Sequence, residues 1–157
     1  MASANVRLDY RELTRLKEQI MLYGDYTKMD EFFESCAKEL AARLLAKVIK
    51  RTPVGQYEEG SGKTGGTLRR GWTAGKDSNG ATYANSLKVN KVGSSYVIEI
   101  INPVEYASYV EFGHRTRNHK GWVEGHFMLT ISEDEIRNSA PSILQRKVKD
   151  FLKGCFS

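Results

Sequence analysis

Cysteine, proline and histidine are scarce in this chain of 157 residues, which has two, three and three of them. Two cysteines cannot build a disulfide framework. Cys36 lies in an apolar helical pattern and Cys155 near the end, which reads as reduced thiols in a cytosolic product. His114, His119 and His126 stand five and seven residues apart and have no cysteine pair beside them. Even with Glu111 or Glu124 added, that spacing matches no recurrent zinc pattern, so solvated or interfacial histidines are expected and no metal. No apolar run approaches the roughly 20 residues a membrane span requires. Met1 to Tyr10 has no hydrophobic signal core, so no membrane is expected as a partner. Gly-x-Ser-x-Gly elbows and Cys/His pairings are missing too, and Glu133-Asp134-Glu135 most simply favours a helix N-terminus. An enzyme is not expected, nor a cofactor.

The chain is 40% hydrophobic and 27% charged, which fits a single domain over residues 1–157 with a real core. Its 24 Lys and Arg against 19 Asp and Glu give a formal charge of +5, and that surplus is local. Between Lys47 and Lys76 stand seven basic residues and two acidic ones, leaving 17 of each sign elsewhere. The neighbouring stretch from Gly55 to Gly80 holds eight of the fourteen glycines. The charge excess therefore sits on a Gly-rich segment.

Hydrophobic spacing divides the chain into elements. Leu13, Leu16 and Ile20 predict a short amphipathic helix over 10–21, closed near Gly24. Phe32, Phe33, Cys36, Leu40, Leu44 and Val48, widened by Ala37, Ala41 and Leu45, predict a longer helix over about 28–50. Thr52-Pro53 should end it, because the residue before a proline is pushed out of the α region. Residues 54–80 lack periodicity, and a loop longer than about 12–15 residues in a compact domain is usually functional. Tyr83–Asn90 and Tyr96–Ile101 predict a hairpin around Gly93-Ser94-Ser95. Asn102-Pro103 reads as an N-cap and first helical residue, giving a helix over 103–112 closed by Gly113. His114 to Gly121 forms a second basic loop, and Phe127–Ile131 is apolar but too short to assign by period. Ser132 with Glu135 reads as a capping box for a last helix that Pro141 breaks or kinks before the stripe Ile143, Leu144, Val148, Phe151 and Leu152. The sum is an α+β domain: long N-terminal helices, a central hairpin or small antiparallel sheet and a C-terminal helix, with a long basic loop. Residues 1–27 read as a helical extension and 54–80 as an extended assembly loop.

Gly60-Ser61-Gly62-Lys63-Thr64 resembles the end of a phosphate-binding loop. Such a loop needs a further glycine where Tyr57 stands, and it must follow a strand and open a helix. A flexible loop is the simpler reading. Arg69-Arg70-Gly71-Trp72 interleaves cations with an aromatic, which suits phosphates and bases. Pairing with carboxylates on a neighbouring subunit, in an assembly loop, is the favoured reading.

Three stretches together resemble a known family. They are Arg51-Thr52-Pro53-Val54, then Thr64-Gly65-Gly66-Thr67-Leu68-Arg69-Arg70-Gly71-Trp72, and Asn102 to His114 with its Tyr106-Ala107-Ser108-Tyr109-Val110-Glu111-Phe112-Gly113-His114 core. With the later Gly121-Trp122-Val123-Glu124-Gly125-His126-Phe127-Met128, they resemble the head–tail joining proteins of tailed bacteriophages, of lambdoid type, also called neck, minor capsid or tail-completion proteins. The likeness covers roughly 28–153. One departure is the insertion Gly55 to Lys63, where the family runs from Thr-Pro-Val almost directly into Thr-Gly.

The resemblance implies a non-enzymatic virion protein of the tail or neck, assembled in the host bacterial cytoplasm. It implies a homo-oligomer, a six-fold ring, that completes or terminates the tail tube and meets the tube protein and neck, stopper or portal-proximal proteins. On this reading the helices and hairpin form the ring body and residues 54–80 reach a neighbour. Arg69, Arg70 and Trp72 are the expected anchors, with Thr52, Pro53, Thr64, Gly65 and Leu68 around them. Glu111 to Arg117, with Glu111, Gly113, His114, Arg115 and Arg117, forms a second contact strip, and Tyr106, Tyr109 and Trp122 are further candidates. The alternatives are a DNA-contacting module whose basic loop grips the duplex and, further off, a nucleotide-binding protein dependent on Lys63.

Overall fold

The computed structural model describes residues 2–9, 26–76 and 79–155. The helix expected over 10–21 lies outside the described residues. The fold is α+β. A strand β1 (Ala2–Asp9) is followed by the long helix α1 (Tyr26–Arg51), two short helices α2 (Thr67–Gly71) and α3 (Gly80–Ser86), and strands β2 (Asn90–Val92) and β3 (Ser95–Asn102). Helix α4 (Ala107–Phe112), strands β4 (Gly113–Arg115) and β5 (Trp122–Glu124) and the long helix α5 (Met128–Cys155) complete it. The strands form two antiparallel sheets, β1-β3-β2 and β4-β5. Ala2 is paired with Asn102 and Asp9 with Ser95 along the whole of β1.

Helix α1 is the axis of the core. Met29, Phe33, Cys36, Ala37, Leu40, Ala41, Leu44, Leu45 and Val48 are all buried, at the three- and four-residue steps that put them on one broad face. That face packs on β3, whose alternation buries Tyr96, Ile98, Ile100 and Asn102. Helix α5 lies along α1 and is stapled to it by Glu135, which accepts from Lys47 Nζ and Arg51 Nη2, each at 2.7 Å. Those two donors hold the Glu135 carboxyl below its usual range. At the other end of the pair Phe151 stacks on Phe32, ring centroids 4.3 Å apart. There Asp30, in α1, accepts from Lys91 Nζ at 2.9 Å and from the Tyr96 hydroxyl.

Several expectations need correction. The N-terminal extension expected to be helical opens with strand β1. The loop expected over 54–80 is interrupted by α2 and by the start of α3. Residues 83–86 are helical, so the hairpin is shorter, with β2 reduced to Asn90–Val92. The reason is close packing: Asn79 Oδ1 accepts from the amides of Ala81 and Thr82, and buried Gly80 and Ala84 let α3 lie against α1. Helix α4 begins at Ala107, because Asn102 remains in β3 and its Oδ1 accepts from the Val104 amide at 3.2 Å, forming a turn first. Helix α5 begins at Met128, so Phe127–Ile131 is its opening turn and Ser132 an interior residue whose hydroxyl donates to the Met128 carbonyl. The helix continues through Pro141.

Two outcomes test this packing. A Cβ on Gly71 would stand 2.2 Å from Asn102 Oδ1 and 2.9 Å from Val104 Cγ2, so Gly71→Ala should lower unfolding free energy in urea by about 1–3 kcal/mol. Gly154→Ala, with open space at its Cβ position, should have little effect. Burial raises the Cys36 thiol to about 11. The neutral thiol should therefore resist iodoacetamide in the native protein at pH 8 and react on unfolding, as read by peptide mass spectrometry.

Candidate assembly surface at the motif end

The family-like stretches converge where α1 ends. Thr52 closes the helix, its amide and hydroxyl both donating to the Val48 carbonyl, at 2.9 and 2.6 Å. Its hydroxyl in turn accepts from Trp72 Nε1 at 2.8 Å, and its carbonyl accepts from Arg69 Nε and Nη2 at 3.2 and 2.8 Å. A helix terminus leaves carbonyls without intrahelical partners, and the guanidinium supplies donors to the Thr52 carbonyl while the indole holds the Thr52 hydroxyl. Trp72 is 0% exposed and Leu68 beside it is buried. Trp72 and Arg69 are therefore engaged inside the protomer; Trp72 is not the exposed aromatic expected, and Arg69 is half-buried. Arg70 is the exposed member of that series, donating to the Gly65 carbonyl at 3.2 Å.

A second convergence joins α4 to α5. Glu111 is 1% exposed, and its Oε2 accepts from the Leu129 amide at 2.8 Å. Its Oε1 accepts from the amide and hydroxyl of Thr130, at 2.9 and 2.7 Å. A carboxyl from α4 thus caps the N-terminus of α5, whose amides have no intrahelical acceptors. Glu111 is a brace, not an exposed contact. Gly113 follows with φ +83°, and a Cβ there would meet the Val123 carbonyl at 2.4 Å, so only glycine lets β4 and β5 approach. The amides of His126 and Phe127 donate to the carbonyls of Val110 and Glu111, at 2.7 and 3.0 Å, closing the C-terminal end of α4.

Between these two braces lies a groove of about 280 Å³. Pro53, Thr64 and Gly65 form one wall, and Tyr106, Tyr109 and His114 part of the other. The His114 ring lies 5.5 Å from that of Tyr109, and its buried Nδ1 has no hydrogen-bond partner among the described residues. Of the groove's lining, Val54, Tyr57, Tyr106, Tyr109 and Val123 are exposed, and the stretches 106–112 and 122–131 that supply part of that lining also expose Phe112, at 58%, Trp122, at 55%, Phe127 and Ile131. Phe127 is held at φ +45°, a conformation that a bulky residue adopts only when its surroundings impose it. Phe112, Phe127 and Ile131 were not candidates from sequence. Phe112 and Phe127 stand inside the quoted motifs, but aromatic residues there read equally as core.

Arg115 and Arg117 lie exposed on the β4–β5 hairpin, away from Arg70 in sequence. Gly60 to Thr64 occupy exposed turns, with Lys63 Nζ 5.8 Å from the Tyr57 ring. Among the described residues no three His, Cys, Asp or Glu side chains gather as a metal site, and no helix is long and apolar enough to cross a membrane.

Glu111→Gln keeps the shape but gives α5 one acceptor oxygen in place of two and turns an amide toward its N–H groups. It should lower stability by about 1.5–3 kcal/mol, read by urea unfolding. Unchanged stability would return Glu111 to the contact strip.

Residues 14–113, more than half of the chain, match the family profile described as "Bacteriophage HK97-gp10, putative tail-component". No curated protein and no solved structure matches the chain. The matched span includes α1, the Thr52 and Trp72 pin, α4 and Glu111, and it reaches Gly113 at the start of the small sheet. It agrees with the resemblance to head–tail joining proteins. The chain belongs to the HK97 gp10-like family of bacteriophage tail components.

Proposed function

We propose that the protein is a structural, non-catalytic subunit that multimerises as a six-fold ring at the head–tail junction. There it completes the tail tube and joins it to the neck, stopper or portal-proximal proteins of the virion, after assembly in the host bacterial cytoplasm. The observation that carries this reading is where apolar surface is left open. Apart from Val92, every large apolar side chain that the described residues leave exposed lies in 54–57, 106–112 or 122–131, the stretches that also supply lining residues of the groove. A patch of that kind marks an interaction site. Aromatic side chains are the usual energetic anchors of protein interfaces.

The whole chain is taken as one domain, and residues 53–66 with the rim of the groove are its contact face. Pro53, Thr64, Gly65, Arg70, Tyr106, Tyr109, His114, Arg115, Arg117 and Trp122 are the candidates that remain at or near the surface. Thr52, Leu68, Arg69, Trp72, Glu111 and Gly113 shape that face from beneath. In a ring of like subunits each contact joins two different faces, so this surface meets another part of the neighbouring copy or the tube.

The test is Phe112→Ser with Trp122→Ser. Each truncation of an interface aromatic of this kind costs about 2 kcal/mol or more. The double variant should keep its far-UV circular dichroism but sediment as a smaller species. In phage particles it should leave tails unattached to heads in electron micrographs. Rings and joined tails that form as in the parent would overturn the assignment.

A further inference from the structure

The charge surplus, once located in space, points somewhere other than the Gly-rich stretch. Lys47 and Arg51 are paired to Glu135, Arg69 closes α1, and Arg70 folds over Gly65. Much of the positive charge between Lys47 and Lys76 is thus engaged within the protomer. The β4–β5 hairpin differs. From Gly113 to Gly121 it carries Arg115, Arg117, Lys120 and His119 and no carboxylate. All four of these are outside the core, and no ion pair among the described residues engages the two arginines or Lys120.

The tip is also ordered by its own backbone. Thr116 Oγ1 donates to Asn118 Oδ1 at 2.7 Å and accepts from the Gly121 amide at 3.0 Å, while the Thr116 amide donates to the Gly121 carbonyl at 3.0 Å. Asn118 Oδ1 also accepts from the Lys120 amide at 3.1 Å. These bonds fix the turn without using any cationic side chain. Residues 116–121 contain no large apolar side chain, so the tip offers a partner polar and cationic groups without an apolar core. Arg, Lys, Thr and Asn are instead the side chains that contact nucleic-acid phosphates.

We propose that this hairpin tip binds the phosphate backbone of double-stranded DNA through Arg115, Arg117 and Lys120. It reads no sequence, because nothing at the tip is arranged to enter a groove and meet base edges. The binding chemistry is independent of ring formation, and only its occasion, a duplex passing the joint, rests on the proposed function. A rival cationic stripe, Arg146, Lys149 and Lys153, lies on the C-terminal part of α5 at the Phe151 end. Asp150 stands within that stripe, and Lys153 lies in the last turn, where it offsets the helix dipole.

The full-length protein is titrated against a labelled random-sequence duplex by fluorescence anisotropy over a range of salt. Three phosphate contacts per protomer should give a log–log slope of about −2.7, roughly a 40-fold loss of affinity between 50 and 200 mM salt. Arg115→Gln, Arg117→Gln and Lys120→Gln together should abolish that binding while leaving circular dichroism and sedimentation as in the parent. Arg146→Gln, Lys149→Gln and Lys153→Gln should leave the slope unchanged. The proposal fails if the tip variant keeps the parent's slope, if the α5 variant loses it instead, or if polyglutamate of equal charge binds as tightly as the duplex. It also fails if the tip variant binds DNA normally but loses its oligomeric state, which would make the tip a protein contact. Loss of DNA binding with rings intact leaves the assembly reading standing, so the two can fail separately.

Discussion

The end of α1 at Thr52 is the constraint on which the motif end depends. A helix of 26 residues leaves its last carbonyls without partners, and Pro53 follows, so the chain cannot continue the ladder. The fold resolves this with groups from 17 and 20 residues further on: the Arg69 guanidinium donates to the Thr52 carbonyl, and the Trp72 indole donates to the Thr52 hydroxyl that itself donates to the Val48 carbonyl. Bringing them there requires the chain to turn back on itself. That return explains the close crossing of Gly65 with Gly55, where a Cβ would meet the Gly55 carbonyl at 2.1 Å. The Thr-Pro, Thr-Gly, Leu-Arg and Trp series thus describes one local solution: end the helix, turn tightly, bury a leucine, and close with two donors.

Glu111 performs the complementary task for α5. The two long helices present opposite ends to the same region, a C-terminus needing donors and an N-terminus needing acceptors, and each receives side chains from a short helix. Asn102 joins the two arrangements. Its Oδ1 holds the turn into α4 and its Nδ2 donates to the Leu68 carbonyl at 2.8 Å, next to the Trp72 pin. Lys47 and Arg51, bonded to Glu135, with Arg51 also donating to Ser132 Oγ at 2.8 Å, clamp the helices just behind this region. The helix ends beside the groove are therefore already satisfied, while the Nδ1 of His114 in its wall has no partner among the described residues.

The sequence was most legible where one rule governs many residues. Helix α1 follows directly from its stripe, and strand β3 from its β-branched alternation. Helix α3 was misread because Gly80 and Ala84 contribute through their smallness, which hydropathy does not register. Trp72 looked like an exposed anchor because it stands among glycines and arginines, and nothing local reveals a threonine hydroxyl 20 residues back. Glu111 was misread for a related reason. Its partners include backbone amides of Leu129 and Thr130, which every residue but proline possesses and no pattern marks. The motifs do cluster in one region of the fold, but pinning residues and outward-facing residues alternate along them, which no local pattern separates.

The satisfied helix ends have a consequence for the thermodynamics of contact. With the α1 carbonyl end and the α5 amide end both occupied by internal partners, the rim around Phe112 and Trp122 offers mainly apolar area. Association through apolar area carries a negative heat-capacity change and weakens on cooling. It also responds little to ionic strength. The hairpin tip beside it has the opposite character, since its attraction is electrostatic and screened by salt within about 10 Å at 0.1 M. Two adjoining surfaces of one small protein would then answer to different variables, the rim to temperature and the tip to the ionic environment.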